Sequence, residues 1–383
     1  MRTQKSPQRA VRVFAVDLAS GEVEPEVLVR GCMKALKRFD DLALILVGDE
    51  GRIRAAFKKA PKLLRRVTIT HTTDSITMTA HAAKESRRAS RASVVLAAES
   101  VAKGEAFGFF SSGNTGATIS SATLRIGLLP GVPRATLATI LPTSKGHMVL
   151  VDSGAGIDLS PERYLSMARL AESYMKVIFG KENCRVCLLN IGEEANKGTR
   201  VLKRAYALLT KRLPSFAGNM EPSDIFSGEA DIILCDGFVG NIFIKLCEGI
   251  GRHMQRLVRE PLRRRLFSRA KLSEHSALEE YAARRSMLRN LQKFTDSERY
   301  GGSPLLGLRG IVLVGHGQAR DKAVYYAIVN ALFLHDARLI DEMSAFFACA
   351  SASAEQGAEP REDQGNLASI PRHEADPGPA QKS

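Results

Sequence analysis

Short apolar runs alternate along this chain with longer stretches of helical period. Nine runs predict strands: Val11 to Leu18, Leu42 to Gly48, Arg66 to His71, Ala106 to Ser112, Thr136 to Pro142, His147 to Ser153, Arg185 to Gly192, Ile232 to Asp236 and Ile311 to Gly315. Between them, stretches such as Glu26 to Phe39, Pro161 to Phe179 and Lys197 to Lys211 repeat apolar residues every three or four positions. Strand-like runs alternating with helices predict an α/β fold, a parallel-rich sheet with helices on both faces. No internal repeat of fixed period interrupts this order.

In such sheets ligands bind beyond the carboxyl ends of the strands. Five predicted strand ends share one character, glycine mixed with small polar residues ahead of a helix. They are Ser111-Ser112-Gly113-Asn114-Thr115-Gly116, Asp152-Ser153-Gly154-Ala155-Gly156, Asn190-Ile191-Gly192-Glu193-Glu194, Asp236-Gly237-Phe238-Val239-Gly240-Asn241 and Gly315-His316-Gly317. A glycine loop opening a helix presents free N–H groups and the positive end of the helix dipole, which suits an anion. Short donors at Ser111, Ser112, Asn114 and Thr115 could complete a phosphate cradle. Helix capping and turn formation are the competing reading of each loop taken alone.

Charge strengthens the anion reading. The 383 residues carry 55 Lys and Arg against 41 Asp and Glu, a formal charge of +14. From Ser351 onward three basic and six acidic residues stand among Ala, Pro, Gly and Ser, so the body before them carries +17. The expected organisation is a single α/β unit over 1–350 and a disordered tail over 351–383. Six cysteines are too few for a disulfide scaffold and point to a reducing cytoplasm. No apolar run is long enough to span a membrane, and the first residues lack the apolar core of a signal peptide.

Other chemistries find little support. There is no Walker motif, and no dinucleotide-type glycine fingerprint follows the first strand. A G-x-S-x-G elbow is also absent. Cys184 and Cys187 form a C-x-x-C without a second pair, which predicts core or surface cysteines rather than a metal or redox site. No histidine spacing suggests a metal, and no cofactor is indicated.

One further region stands out. Between Gly251 and Asn290 there are 11 Lys or Arg against four Glu, including Arg263-Arg264-Arg265. Met254, Leu257, Val258, Leu262, Leu266 and Phe267 recur at spacings of three and four. This amphipathic, basic projection around 250–290 could lie on an anionic membrane through Leu262, Arg263, Arg264, Arg265 and Leu266, or pack its apolar stripe on protein. Aromatic interleaving and reading-head motifs are lacking, so nucleic-acid binding is not expected.

The loops, taken together, resemble the PlsX family of bacterial fatty acyl-ACP:phosphate acyltransferases. The similar segments stand in order as SSGNTGA at Ser111 to Ala117, LPT at Leu141 to Thr143, VDSGAG at Val151 to Gly156 and LLNIGEEANKG at Leu188 to Gly198. FAGNMEP follows at Phe216 to Pro222, then CDGFVGN at Cys235 to Asn241, YGGSPLLGLRG at Tyr300 to Gly310 and GHG at Gly315 to Gly317. The resemblance implies a fold similar to isocitrate and isopropylmalate dehydrogenases, without nicotinamide chemistry. It implies transfer of a fatty acyl group from an acyl-carrier-protein thioester to inorganic phosphate, in a homodimer associated peripherally with the membrane. The acyl phosphate would then serve a membrane glycerol-3-phosphate acyltransferase.

For that reaction, His316, Lys197 and Asn219 are the expected catalytic residues. Ser111, Gly113, Asn114, Thr115, Gly116, Asp236, Gly237 and Asn241 are the expected substrate-binding ones. His316 remains open between proton handling and a plain turn, and Asp236 between helix capping and orienting a donor. The sequence also departs from the family pattern. DAMGGD becomes Asp17-Leu18-Ala19-Ser20-Gly21-Glu22, and D-x-G-A-N becomes Asp152-Ser153-Gly154-Ala155-Gly156. Two alternatives stay open: a catalytically weakened membrane-surface scaffold, and a short-chain acyl-CoA phosphotransacylase.

Overall fold

The computed structural model describes residues 10–77, 85–86, 88–267 and 301–356, the side chains of 255, 258–267 and 349–356 excepted. Eleven strands form one sheet: β1 (Arg12–Asp17), β2 (Leu42–Gly48), β3 (Val67–His71), β4 (Gly108–Ser111), β5 (Thr136–Thr143), β6 (Gly146–Val151), β7 (Val186–Leu189), β8 (Phe216–Met220), β9 (Ile232–Leu234), β10 (Ser303–Leu306) and β11 (Ile311–Val314). Their spatial order is β3-β2-β1-β4-β11-β10-β5-β6-β9-β7-β8. The parallel-rich expectation holds, with one structured exception. Strand β10 runs antiparallel to both β11 and β5, and β5 antiparallel to β6.

Among the described residues nine α-helices flank the sheet: α1 (Pro25–Arg38), α2 (Glu50–Ala56), α3 (Ser93–Ala102), α4 (Thr115–Arg125), α5 (Pro161–Phe179), α6 (Arg200–Arg212), α7 (Gly237–Phe267), α8 (Asp321–Asp336) and α9 (Leu339–Gln356). Alternation along the strands sends side chains to two cores. Phe14, Val16, Leu44, Leu46, Phe110 and Leu313 face the core built with α1, α5, α6, α8 and α9. Ala15, Ile45, Val47, Phe109, Val312 and Val314 face the core built with α3 and α4. A third core, around Met148, Leu150, Cys187 and Ile233, packs under Phe243 and Ile244 of α7.

Strand β5 joins the two halves of the sheet. Thr136 and Leu137 pair with β10, while Ala138 to Thr143 pair with β6. One transverse row therefore crosses the junction, from Ser111 to Val314 to Ser303, then to Thr139 and Leu150. Beyond this row the parallel strands of one half end upward and those of the other end downward. The carboxyl ends of β4 and β11 thus come level with those of β6 and β9, on either side of β5. That convergence places the loops of interest.

Two expectations at the chain's far end meet the edge of the description. Helix α9 continues to Gln356, past the start of the expected tail, and 357–383 lie outside the described residues. The backbone of α7 stays helical through Leu262, Arg263, Arg264, Arg265 and Leu266. Their side chains and the segment 268–300 lie outside the described residues. Among the described residues, no helix is long and apolar enough to cross a membrane.

Candidate active site

The first cluster gathers the ends of β1, β4 and β11. Ser111 donates its hydroxyl proton to Oδ2 of Asp17 at 2.7 Å, and the Gly113 N–H donates to Ser111 Oγ at 3.2 Å. The Glu22 N–H donates to the Gly317 carbonyl at 3.0 Å, which ties the loop after β1 to the loop after β11. Gly113 is required here because a Cβ would overlap Ser20. Ser20 in turn shares a 2.8 Å hydrogen bond with Ser93 Oγ, buried at the start of α3. Ser112 is buried, and its hydroxyl meets no partner among the described residues.

Helix α4 starts inside this cluster. Asn114 caps it, accepting from the Ala117 N–H at 3.1 Å. That cap satisfies one first-turn donor and leaves the N–H groups of Thr115 and Gly116 without an intrahelical acceptor. The cap is neutral, so the positive end of the dipole is not cancelled. His316 is exposed at the rim, its Nδ1 accepting from the Gln318 N–H at 3.3 Å. A neutral ring that accepts at Nδ1 carries its proton on Nε2 and presents it as a donor. The turn geometry and a donor role are therefore compatible.

The second cluster gathers the ends of β6 and β9. Asp152 is fully buried, and its Oδ1 accepts from the N–H groups of Leu137, Gly154 and Ala155 at 3.2, 3.1 and 2.9 Å. Burial raises its pKa, only partly offset by those N–H groups and by the positive charge of Arg163. Arg163 is itself buried on α5, which lowers its pKa to about 10. Its guanidinium donates to the Arg134 and Ala135 carbonyls and to Thr136 Oγ1, so no ion pair with Asp152 forms. Oδ2 of Asp152 meets no partner among the described residues.

Helix α7 enters against this loop. The Gly237 N–H donates to the Gly156 carbonyl at 2.6 Å, and Gly240 passes where a Cβ would overlap the Asp152 carbonyl. Asp236 caps the helix, accepting from the Val239 N–H at 2.9 Å, the capping half of the two roles open to it. Phe238 to Asn241, read from sequence as loop, form the first turn of α7 instead. The Asp236 carboxylate already supplies the negative charge that a helix N-terminus attracts. Of these two termini, α4 is the one left open to an anion.

A chain of hydroxyls runs from the second cluster across β5 to β10. Ser153 donates to the Leu137 carbonyl at 3.1 Å, Thr139 donates to Ser153 at 2.9 Å, and Ser303 stands 2.9 Å from Thr139. With Thr139 committed as donor to Ser153, Ser303 is the donor to Thr139. Ala155 also packs on the core that holds Ala117 and Ile119 of α4. Thr139 and Ser303 were not singled out in the sequence. Thr139 lies inside a predicted strand, and nothing local marks its hydroxyl as facing a junction.

Lys197 and Asn219 form a third group, at the ends of β7 and β8. Asn219 Nδ2 donates to the Glu194 carbonyl at 2.9 Å and so holds the loop after β7 from beneath. The Lys197 ammonium is 3.7 Å from Glu194, and Lys197 is exposed. No hydrogen bond among the described residues links this group to Ser111 or His316. Strand β7 is five places from β11, about 24 Å at the usual strand spacing. A cavity of about 200 Å³ lies on the opposite face, between α5 and α8, lined by residues such as Ile140, Tyr174, Ile178, Phe179 and Phe333. It includes none of the loop residues.

The profile of a family described as "Fatty acid synthesis protein" matches residues 12–341. A phosphate acyltransferase of Shouchella clausii is 37% identical over 319 residues, covering 83% of this chain and 93% of the relative. One of Clostridium acetobutylicum is 32% identical over 332 residues, covering 87% and 98%. The chain belongs to this phosphate acyltransferase family.

Membership makes the protein an acyltransferase. The fold agrees with two solved structures. A phosphotransacetylase from Streptococcus pyogenes superposes with TM-score 0.56 at 17% identity, covering 86% of this chain and 94% of that one. The EutD phosphotransacetylase of Staphylococcus aureus gives 0.52 at 12% identity, again covering 86% and 94%. Cys184 and Cys187 are both buried free cysteines. Burial pushes Cys184 up to about 12 and raises Cys187, so both stay protonated thiols of the core.

Proposed function

We propose that this acyltransferase moves a fatty acyl group from the thioester of an acyl-carrier protein to inorganic phosphate. A phosphate oxygen attacks the thioester carbonyl carbon, a C–O bond forms and the C–S bond breaks. The electron pair leaves on sulfur, which takes a proton to become the carrier thiol, and acyl phosphate remains. Phosphate is itself the nucleophile, so the protein needs to hold it, align the carbonyl and stabilise the developing oxyanion.

The observation that carries this reading is the open N-terminus of α4. Its neutral Asn114 cap, the first-turn N–H groups of Thr115 and Gly116, the Thr115 hydroxyl and Ser112, whose hydroxyl meets no partner among the described residues, suit a phosphate dianion. Nε2–H of His316 is the donor for the oxyanion or the departing sulfur. Gly237 and Asn241 border the approach from α7, and Asp236 keeps that helix start in place. Lys197 adds positive charge on the carrier's side, while Asn219 fixes its loop.

The same reading takes acyl phosphate to a membrane glycerol-3-phosphate acyltransferase, with the protein cytoplasmic and held peripherally by the basic end of α7. A homodimer is supported by Ile242, Leu246, Ile250, Met254 and Leu257, which expose an apolar stripe along α7 at spacings of four, four, four and three. The deciding experiment mixes purified protein, acyl-carrier protein and phosphate, then traps acyl phosphate with hydroxylamine. Phosphate-dependent hydroxamate is expected. Its absence, with an active relative as control, rejects the reaction. A faster rate with acetyl-CoA than with long-chain acyl-carrier protein points to a short-chain phosphotransacylase instead.

A further inference from the structure

Helix α6 is charged against its own dipole. It carries Arg200, Lys203, Arg204, Lys211 and Arg212 and no acidic residue. The first three stand in its first two turns, toward the positive end of the macrodipole, which disfavours cations. The cap at Thr199 is neutral and offsets none of this. Arg200, Lys203 and Arg204 are exposed and form no ion pair among the described residues. Helix stability gives no reason for the arrangement.

Its position gives one. The helix follows the loop after β7, and in the order β6-β9-β7 that loop is two strands from the Asp152 loop, at the same carboxyl edge. At the tip of the loop Ile191 is 79% exposed, and Val201 on the first turn of α6 is 37% exposed. Val201 thus stands on the helix turn that carries Arg200, Lys203 and Arg204, while Ile191 precedes Glu193 and Glu194, the latter paired with Lys197 at 3.7 Å. Exposed apolar residues beside three unpaired cations of α6, two strands from the Asp152 loop, fit a partner whose surface is acidic and whose reactive group sits on a long arm.

We infer that Arg200, Lys203 and Arg204, with Ile191 and Val201, form the surface on which the acidic carrier protein docks. The inference rests on the proposed reaction, since it names where the carrier of that thioester binds. The carrier's acidic face meets α6 and its arm reaches past the Asp152 loop toward α4. Approach is steered by the helix dipole and the unpaired cations together, so association weakens as salt rises.

The protein supplies its own control. Lys58, Lys59 and Lys62 are equally exposed on two 3₁₀ turns, Phe57–Lys59 and Pro61–Arg66, before the amino end of β3. Arg200→Glu, Lys203→Glu and Arg204→Glu together make the same change in net charge as Lys58→Glu, Lys59→Glu and Lys62→Glu together. Steady-state rates are measured with acyl-carrier protein and with S-acyl-pantetheine, the same thioester without the protein. The α6 variant is expected to raise KM for acyl-carrier protein about tenfold or more, to keep its rate with S-acyl-pantetheine, and the 3₁₀-turn variant to behave as the parent. An unchanged KM in the α6 variant, or an equal rise in both variants, overturns the docking site. So does an α6 variant that keeps its KM but no longer binds vesicles containing anionic lipid, which would assign the patch to a membrane. A parent with no activity on either thioester rejects the proposed reaction and, with it, the partner. Ile191→Asp alone, outside any helix, repeats the test without altering α6.

Discussion

Asn114 caps α4 and, in the proposed reaction, neighbours the phosphate, two roles that one substitution separates. As a helix cap, aspartate serves as well as asparagine, and a negative charge at an exposed N-terminus adds about 0.3–1 kcal/mol of helix stability. As the neighbour of a bound phosphate, the same charge repels: two unit charges 4 Å apart interact by about 4 kcal/mol near a protein surface. Asn114→Asp keeps the cap to the Ala117 N–H but loses the amide that donates to the Thr77 carbonyl at 3.2 Å, so it is expected to leave the melting temperature near that of the parent while raising KM for phosphate at least about tenfold. Calorimetry and initial rates against phosphate concentration check both halves; an unchanged KM removes α4 as the phosphate seat. Asp152 offers a test by pH. Its folded pKa lies above the unfolded value, so its contribution to stability is present below about 4 and is lost as pH rises through the folded value. Asp152→Asn keeps an oxygen to accept from Leu137, Gly154 and Ala155 and removes that dependence. The melting temperature of the variant should gain on the parent as pH rises from about 4 to 7, and parallel curves would remove the charge of Asp152 from the account. Both residues were legible as polar members of glycine loops. Their burial was not, since solvent access is set by distant elements such as Arg163 on α5.

At the scale of elements, the caps sort the loops. The loops after β4 and β9 read alike in sequence, yet one helix starts on a neutral asparagine and the other on a carboxylate. Only the geometry of Asp236 with the Val239 N–H shows that its charge is already used. Two strands escaped the sequence reading because they are short and carry residues that weaken strand propensity: Gly218 and Asn219 in β8, and Pro304 in β10. Helix α7 poses the opposite case, an element longer than its own domain can cover. The half-exposed stripe from Ile242 to Leu257 predicts a second copy packed along it. Leu246→Lys with Ile250→Lys should yield a folded monomer in sedimentation where the parent is a dimer. A parent that sediments as a monomer refutes that use of the stripe.

Across the whole molecule, unbroken apolar strand runs alternate with helical stretches so consistently that class and most elements follow from the chain alone. Period and composition dictate those, because burying both faces of a parallel strand requires a nearly unbroken apolar run. The ordered glycine motifs also pointed to the family, and the profile match over residues 12–341 agrees. The sequence did not determine which loops meet. It placed His316, Lys197 and Asn219 in one catalytic set, whereas the fold puts His316 beside Ser112 and the other two at the far end of β7 and β8. That separation follows from strand order, and strand order from the antiparallel turn at β10 and β5. The contacts that select it, such as Ser303 with Thr139 across 164 residues of chain, have no local signature. Local interactions fix which segments are strands and helices. Long-range pairing of those segments decided which loop ends come to the same level of the sheet.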